Sequence, residues 1–322
     1  MAVLPRYRTR AIRGSGRRSA GAVRRRRVRD AFDAQVRREW SRYSRSAWRV
    51  LARELRSRFL AYHLPNGPGW ALELGPGPGR FTPAMLATGA RVAAVDLSTP
   101  MLRSLGRRMA DQPRAGFLRR VRGAGEHLPF RAGAFRAAVA YGNILGFSGR
   151  GGEQLLAELA RVVRGGGVLV LDVASPVGSA TEFLESAARQ RFLLRILRDP
   201  AYYFLDGIVQ SKERGHQPFA PPRMGFFEFD FYTARAAEGV LSASGFRVVD
   251  RMAVAPMVAF RDRLTTLARR DPVAWENLIR LEERVGRRPG VLETGHGFVI
   301  AAVRRSPKRR PPSSRGRLKR SG

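Results

Sequence analysis

The sequence contains no cysteine and only three lysines among its 60 basic residues. Without cysteine the chain has no disulfides, cysteine-ligated zinc, iron–sulfur clusters or thiol nucleophiles. No apolar stretch approaches the length of about 18 residues that a membrane-spanning helix needs, so we expect no transmembrane segment. His, Asp and Glu nowhere cluster at metal-ligand spacing, so no metal is expected. The first residues lack the apolar core of a secretion signal, which makes the cytoplasm the expected location.

Acidic residues are scarce as well: 26 of them face 60 basic residues, which gives a formal net charge of +34. Much of this charge lies at the two ends. Residues 1–60 contain 19 arginines and four acids, and residues 304–322 contain nine basic residues and no acid. Basic ends of this kind attract polyanions such as RNA or an anionic membrane surface. The preference for arginine over lysine is also typical of a codon bias, so both explanations stay open.

Composition and periodicity divide the chain into four parts. Residues 1–29 and 306–322 combine arginine with Gly, Ser or Pro, and we predict that they are disordered basic arms. Residues 30–66 place apolar side chains at helical spacing, which predicts an N-terminal helical extension. Residues 67–305 are predicted to form the main domain. Within it, residues 176–232 interrupt the regular pattern as a helical, aromatic-rich insertion, which we interpret as a lid over a substrate site.

Short apolar runs alternate with helical segments through the main domain. This alternation predicts an α/β fold with a doubly wound, mostly parallel sheet. The strands are predicted at residues 70–74, 91–97, 117–123, 135–142, 167–174, 246–254 and 295–305. The helices are predicted at residues 80–88, 98–110, 152–167 (closed by its glycines), 179–198, 233–246 and 273–285.

The stretch LELGPGPGRF follows the first predicted strand and places glycine at every second position after Glu73. A glycine-rich turn at this point of a doubly wound sheet indicates a nucleotide site. The spacing fits neither the dinucleotide nor the Walker pattern, and Glu73 would repel a phosphate but suits a ligand amine. Asp96, at the end of the second strand, can accept hydrogen bonds from two ribose hydroxyls. An amine, a ribose and no phosphate describe S-adenosylmethionine (SAM).

The segments ALELGPGPGRF and VAAVDLS resemble the first two motifs of the class I SAM-dependent methyltransferases. Four further segments, GAGEHLPF, LAELARVVRGGGVLVLD, YTARAAEGVLSASGFRVV and GHGFVIAAVR, are similar to later elements of that family in the same order. The likeness covers residues 68–175 and 226–305 and is nearest to the type 11 branch. It implies a Rossmann-like fold with a seven-stranded sheet, SAM as the cofactor and methyl transfer as the activity.

The resemblance also implies a role for each matching position on the cofactor side. The expected cradle for the methionine part of SAM is formed by Glu73, Gly75, Gly77 and Gly79. Asp96 is expected to hold the ribose. The residues expected around the adenine are Leu97, Met101, Gly125 and Glu126. The sequence departs from the family at Ala124, where an aspartate usually accepts from the adenine amine.

On the acceptor side, Tyr141 and Asn143 follow the fourth strand and are expected to face the methyl-transfer site, with Tyr141 also near the cofactor. Core packing explains Tyr141 equally well, and Asn143 is also a common turn residue. If the acceptor must lose a proton, the candidate bases are Tyr141, His127 and His216.

Three hypotheses for the function remain. The first is a methyltransferase for a small organic or lipid-like acceptor, held by the aromatic residues of the insertion. The second is an RNA methyltransferase whose basic arms hold phosphates. The third is a catalytically silent SAM-fold binding protein.

Overall fold

The computed structural model describes residues 16–42, 44, 46–149, 152–175, 177–178, 181, 214–217 and 229–306. The predicted helix at 179–198, most of the predicted lid and the C-terminal arm from residue 307 lie outside the described residues. In the part that is described, no helix is long and apolar enough to cross a membrane.

A seven-stranded, mostly parallel sheet forms the centre of the main domain, which confirms the predicted fold class. Its strands are β1 (Trp70–Leu74), β2 (Arg91–Asp96), β3 (Leu118–Arg122), β4 (Phe135–Ala140), β5 (Val163–Val173), β8 (Phe246–Ala253) and β9 (Phe298–Arg304). The order across the sheet is β3-β2-β1-β4-β5-β9-β8. Strand β9 runs antiparallel to both of its neighbours. Strands β6 (Arg214–Gln217) and β7 (Phe229–Tyr232) form a separate antiparallel pair.

Helices cover both faces of the sheet. In chain order they are α1 (Gly16–Asp33), α2 (Val36–Ser41), α3 (Ala47–His63), α4 (Thr82–Ala87), α5 (Thr99–Met109), α6 (Ile144–Ser148), α7 (Gly152–Val162), α8 (Ala234–Ala243), α9 (Asp262–Arg269) and α10 (Pro272–Gly286). Consecutive residues of β1 point to opposite faces of the sheet, and so to different layers of helices. Ala71 joins the core of α3, α4 and α10, whereas Leu72 joins the core of α7 and α8. Both faces of the central strands are therefore buried, which explains their continuous apolar runs.

Two sequence predictions are wrong in detail. The glycines at 165–167 do not close α7; they lie inside β5, because α7 ends at Val162. A Cβ at Gly167 would lie 2.9 Å from the Arg136 carbonyl oxygen of β4, and the β4–β5 pairing shifts its register at this point. Glycine is needed here for the close approach of two strands rather than for a helix end.

The second wrong prediction concerns the N-terminal arm. Residues 16–29 were expected to be disordered, but they belong to α1. The helix is held by tertiary contacts that its polar sequence does not reveal. Val28 is buried, the Arg24 Nε donates to the Phe147 carbonyl at 3.0 Å, and the Phe32 ring lies edge-on to the Phe147 ring at 5.7 Å. Helix α1 therefore packs against α6, which follows β4.

Candidate active site

The loop after β1 places the three predicted glycines at the carboxyl end of the sheet. Gly75, Gly77 and Gly79 all have positive φ, at 64°, 55° and 91°, a conformation that other residues rarely adopt. A Cβ at Gly75 would displace the end of the Ile144 side chain and one at Gly79 the end of the Leu105 side chain, whereas none of the described residues comes within 4 Å of a Cβ at Gly77. The positive φ angles explain all three glycines, and among the described residues the backbone at Gly77 is the most open to a ligand.

Glu73 lies beneath this loop and is only 3% exposed. Its carboxylate accepts a hydrogen bond from the Thr82 hydroxyl at 2.6 Å. Burial raises the pKa of Glu73 to about 7, and the nearby charge of Asp96 contributes in the same direction, while the Thr82 bond opposes the shift. A buried carboxyl group with a neutral hydroxyl as partner is suited to a cationic ligand, because a positive charge would stabilise its ionised form.

Asp96 ends β2 and lies against the same loop. Its Oδ2 accepts from the Gly77 amide at 3.1 Å and its Oδ1 from the Ser98 amide at 2.8 Å. Burial raises the pKa of Asp96 to about 6, these two amide bonds oppose the shift, and the charge of Asp33 adds to it. The Ser98 hydroxyl caps α5 by accepting from the Met101 amide at 3.1 Å. The carboxylate is thus held in one orientation at the end of its strand.

Asp33 brings a further carboxylate to this place from α1. Its charge acts on Asp96, and its Oδ1 is buried without a hydrogen-bond partner among the described residues. Buried acceptors are rarely left unsatisfied, so such an atom indicates a missing donor. The open backbone at Gly77, the oriented Asp96 and this unsatisfied oxygen fit a ligand with hydroxyl and amine donors, as SAM has. The sequence analysis placed Asp33 in the N-terminal helical extension and gave it no role, because nothing in the sequence shows that this helix reaches Asp96.

The other predicted cofactor residues lie around this centre. Leu97 is half-buried beside Asp96, whereas Met101 and Glu126 are buried. A Cβ at Gly125 would collide with Leu155. Their contacts to adenine remain predictions, and a side chain at position 125 would have to displace the ends of Leu155 and Leu74.

A network around Asp172, at the end of β5, fixes the loop that follows β4. The Asp172 Oδ1 accepts from the amides of Gly142 and Asn143 at 2.7 and 2.8 Å. Its Oδ2 accepts from the Arg56 Nε at 2.9 Å, and both side chains of this ion pair are buried. Because Arg56 belongs to α3, the network ties the N-terminal extension to the loop after β4. The sequence reading missed Asp172, although it ends a buried strand just as Glu73 and Asp96 do.

A family model described as a methyltransferase domain matches residues 72–171, which contain the glycine loop and Asp96 and end directly before Asp172. This part of the chain is a class I SAM-dependent methyltransferase domain. The recognition made from the sequence is thereby confirmed, and SAM is confirmed as the cofactor of the family.

Two solved structures and one curated relative add context. The methyltransferase in the complex with the Haloferax volcanii Trm112 activator is 15% identical, with a TM-score of 0.50 over 85% of this chain and 97% of that chain. It shows a shared fold. A SAM-dependent methyltransferase from Methanosarcina mazei is 15% identical over 77% of this chain and 98% of that chain, with a TM-score of 0.47.

Among curated proteins, ribosomal RNA small subunit methyltransferase A of Synechococcus sp. (strain JA-3-3Ab) is 49% identical over 47 residues, 15% of this chain. The chain matches only 17% of the length of that relative.

In the methyltransferase domain, the two predicted catalytic residues have internal partners. Tyr141 is buried, its hydroxyl donates to the Arg56 carbonyl at 3.2 Å, and its ring lies edge-on to Phe81 at 4.8 Å. Asn143 is left-handed, with φ of 58°, and its Oδ1 accepts from the Ala174 amide at 3.1 Å. These contacts favour positioning roles for both side chains. Their contact with substrate stays a prediction.

The candidate histidine bases lie on different elements of the fold. His127 is exposed, with its Nδ1 3.4 Å from the Gln154 amide nitrogen. His216 lies on β6, and its side chain is outside the description. His296, which sequence reasoning gave no role, has its ring near Trp48 and Phe260 at 5.2 and 6.1 Å.

The raised pKa of Glu73 predicts a pH dependence of stability for the ligand-free protein. The unfolded side chain titrates near 4.5 and the folded one near 7, so the folded state binds the extra proton between these values. The free energy of unfolding therefore decreases as pH rises through this window. Glu73→Gln, which keeps an acceptor for Thr82, should remove up to about 3 kcal/mol of this decrease. Chemical denaturation at several pH values measures the free energy of unfolding of wild type and variant. Equal pH slopes for wild type and variant contradict the assignment, and Glu153→Gln, on the exposed face of α7, is the control.

The Asp172 network predicts a specific pattern of variant stabilities. Asp172→Asn keeps an acceptor for both amides but removes the negative charge facing buried Arg56, so it should cost about 3–5 kcal/mol. The double variant Arg56→Met/Asp172→Asn should recover most of that loss. Hydrogen exchange should show the Gly142 and Asn143 amides still protected in the double variant but not in Asp172→Ala.

Additive losses in the double variant would contradict the coupling between Arg56 and Asp172. The matched control is the partly exposed ion pair Arg58–Glu276, in which the Arg58 Nη2 and Glu276 Oε2 atoms are 2.6 Å apart. Glu276→Gln should cost much less, because exposed ion pairs contribute little.

Proposed function

We propose that this protein binds SAM between the loops after β1 and β2 and transfers its methyl group to an acceptor at the loops after β4 and β5. The observation that carries the proposal is Asp96, whose carboxylate is oriented by the amides of Gly77 and Ser98 beside an open stretch of backbone. In this assignment Asp96 holds the ribose hydroxyls, and Glu73 faces the ligand amine. Asp33 supplies a further acceptor, which offsets the absence of the family aspartate at Ala124.

Bound SAM supplies a methyl group that the adjacent positive sulfur already activates, so the protein contributes mainly proximity and orientation. On the proposed acceptor side, the residues of the Asp172 network supply this orientation. Asp172 fixes the backbone of Gly142 and Asn143, and the Asn143 amide oxygen in turn holds Ala174 after β5. The third hypothesis, a silent SAM-fold protein, is disfavoured by the preserved carboxylates of Glu73 and Asp96.

For the acceptor, the first proposal is a small organic or lipid-like molecule. It is supported by the position of the insertion. Strand β7, at the end of that insertion, packs against α6, which follows Asn143 directly. The Tyr232 amide donates to the Ala174 carbonyl at 3.2 Å. These contacts support the proposal, because the end of the insertion lies beside the loops after β4 and β5, where we propose that the acceptor binds.

A second candidate acceptor is RNA. The observation that favours it is a surface of exposed arginines on α5 and the edge strand β3, next to Asp96. The short likeness to a ribosomal RNA methyltransferase agrees with this candidate, although it covers only 15% of the chain.

The test uses SAM with a radiolabelled methyl group and a lysate of the source cells. We expect wild type to label one class of molecule, and Asp96→Asn to lose at least about 90% of the transfer, because the ribose grip is weakened. Asp111→Asn, an exposed acid after α5, is the control. Solvent extraction and nuclease treatment then separate a small acceptor from RNA. Undiminished labelling by Asp96→Asn would contradict the proposal.

A further inference from the structure

One edge of the methyltransferase domain carries exposed arginines on two neighbouring elements. Helix α5 and strand β3 each contain three arginines and no acidic residue. Arg103 and Arg107 are exposed on α5 one turn apart, and Arg122 is exposed at the end of β3. The Arg120 guanidinium donates to the Leu102 carbonyl at 3.1 Å and so joins the two elements. We call Arg103, Arg107, Arg120 and Arg122 the arginine surface.

The arginine surface borders the cofactor site. Arg122 is the direct register partner of Asp96 in the β2–β3 pairing, so its backbone lies beside the proposed ribose site. Helix α1, which packs on α5, adds exposed Arg26 and Arg27. From there α1 reaches α6, where Arg24 contacts the Phe147 carbonyl. A polyanion bound along this surface would therefore extend toward the acceptor side of the site.

Exposed aromatic rings stand among these arginines. Trp40 of α2 is 41% exposed, and the Arg108 guanidinium of α5 lies 3.6 Å from its ring centre. Phe117, next to β3, is 40% exposed, with Arg114 at 4.5 Å from its ring centre. Guanidinium groups that bind phosphates and partly exposed aromatic rings on which unpaired bases can stack are the two parts of a single-strand nucleic-acid site.

A membrane surface fits this region less well. An interfacial helix presents a continuous apolar face to the lipid. Helix α5 does the opposite: its apolar side chains Met101, Leu102, Leu105 and Met109 are buried, and its exposed side carries the arginines. The exposed apolar groups are separate rings, each covered by an arginine. Charged residues on an edge strand also prevent edge-to-edge pairing of sheets, but that role explains neither the arginines of α5 nor the aromatic rings.

We propose that the arginine surface, with Trp40, binds single-stranded RNA and presents it to the methyltransferase site. The inference rests on the proposed function and deepens its second candidate, because it takes RNA as the acceptor class. Within the described residues, the guanidinium groups of Arg103, Arg107 and Arg122 form no ion pair. They are therefore available to phosphates without breaking an internal contact.

The test compares two variants of the full chain with equal net charge. One is Arg103→Gln/Arg107→Gln/Arg122→Gln. The control is Arg270→Gln/Arg284→Gln/Arg288→Gln, which removes exposed arginines on and next to α9 and α10, by β8 at the opposite edge of the sheet. Both keep the basic ends of the chain. The probe is a fluorescein-labelled single-stranded RNA of about 20 nucleotides, and fluorescence anisotropy gives Kd at several salt concentrations.

We expect the first variant to bind at least about tenfold more weakly at low salt than the control. The slope of log Kd against log salt should fall by about 2, because three phosphate contacts are lost from a single strand. Trp40→Leu should weaken binding without changing this slope, since stacking releases no counterions. Tyr62→Leu, an exposed aromatic residue at the far end of α3, is its control.

Equal losses in the two triple variants would overturn the proposal, because binding would then follow net charge alone. A loss of binding to phosphatidylglycerol vesicles, with RNA binding unchanged, would also overturn it and assign the surface to a membrane. SAM binding by the first triple variant should equal that of wild type. If wild type binds RNA as predicted but no SAM, the proposed function fails while the docking surface stands.

Discussion

The carboxylate of Asp172 holds together helix α3, strand β5 and the loop after β4, which meet at the proposed acceptor site. It accepts from two consecutive amides after β4 and from Arg56 of α3. A buried ion pair adds little net stability, but removing one partner is strongly destabilising. The pair therefore acts mainly as a constraint: α3 and the loop containing Gly142 and Asn143 hold one arrangement relative to β5. Tyr141 strengthens the same link through its bond to the Arg56 carbonyl.

Three acids, Glu73, Asp96 and Asp172, lie at the carboxyl ends of the parallel strands β1, β2 and β5, and their different partners give them different roles. Asp172 faces a guanidinium and is satisfied inside the protein. Glu73 and Asp96 are offered only a hydroxyl and backbone amides, so burial raises the pKa of each. The folded, ligand-free protein is therefore less stable at neutral pH than it would be with neutral side chains. Binding of a cationic, hydroxyl-bearing ligand offsets this loss of stability. The carboxylates that destabilise the ligand-free protein therefore increase its affinity for such a ligand.

The sequence predicted the sheet and the glycine loop because both depend on local features: apolar runs, the alternate glycines and an acid at each strand end. It did not predict α1, because the contacts that hold that helix join Arg24 and Phe32 to residues more than a hundred positions away. The partners of Arg56 and Tyr141 are equally distant along the chain. Glycines were assigned to ligand contact by spacing alone, whereas Gly75 and Gly79 face Ile144 and Leu105, which only the folded chain brings there.

The central claim is that Asp96 holds the ribose of SAM. Titration calorimetry of the purified protein with SAM tests it most directly, by comparing wild type, Asp96→Ala and the exposed control Asp111→Ala. The account predicts that Asp96→Ala binds SAM at least about 30-fold more weakly, because two hydrogen bonds to a charged acceptor are lost, while Asp111→Ala binds like wild type. Equal affinity of wild type and Asp96→Ala would contradict it.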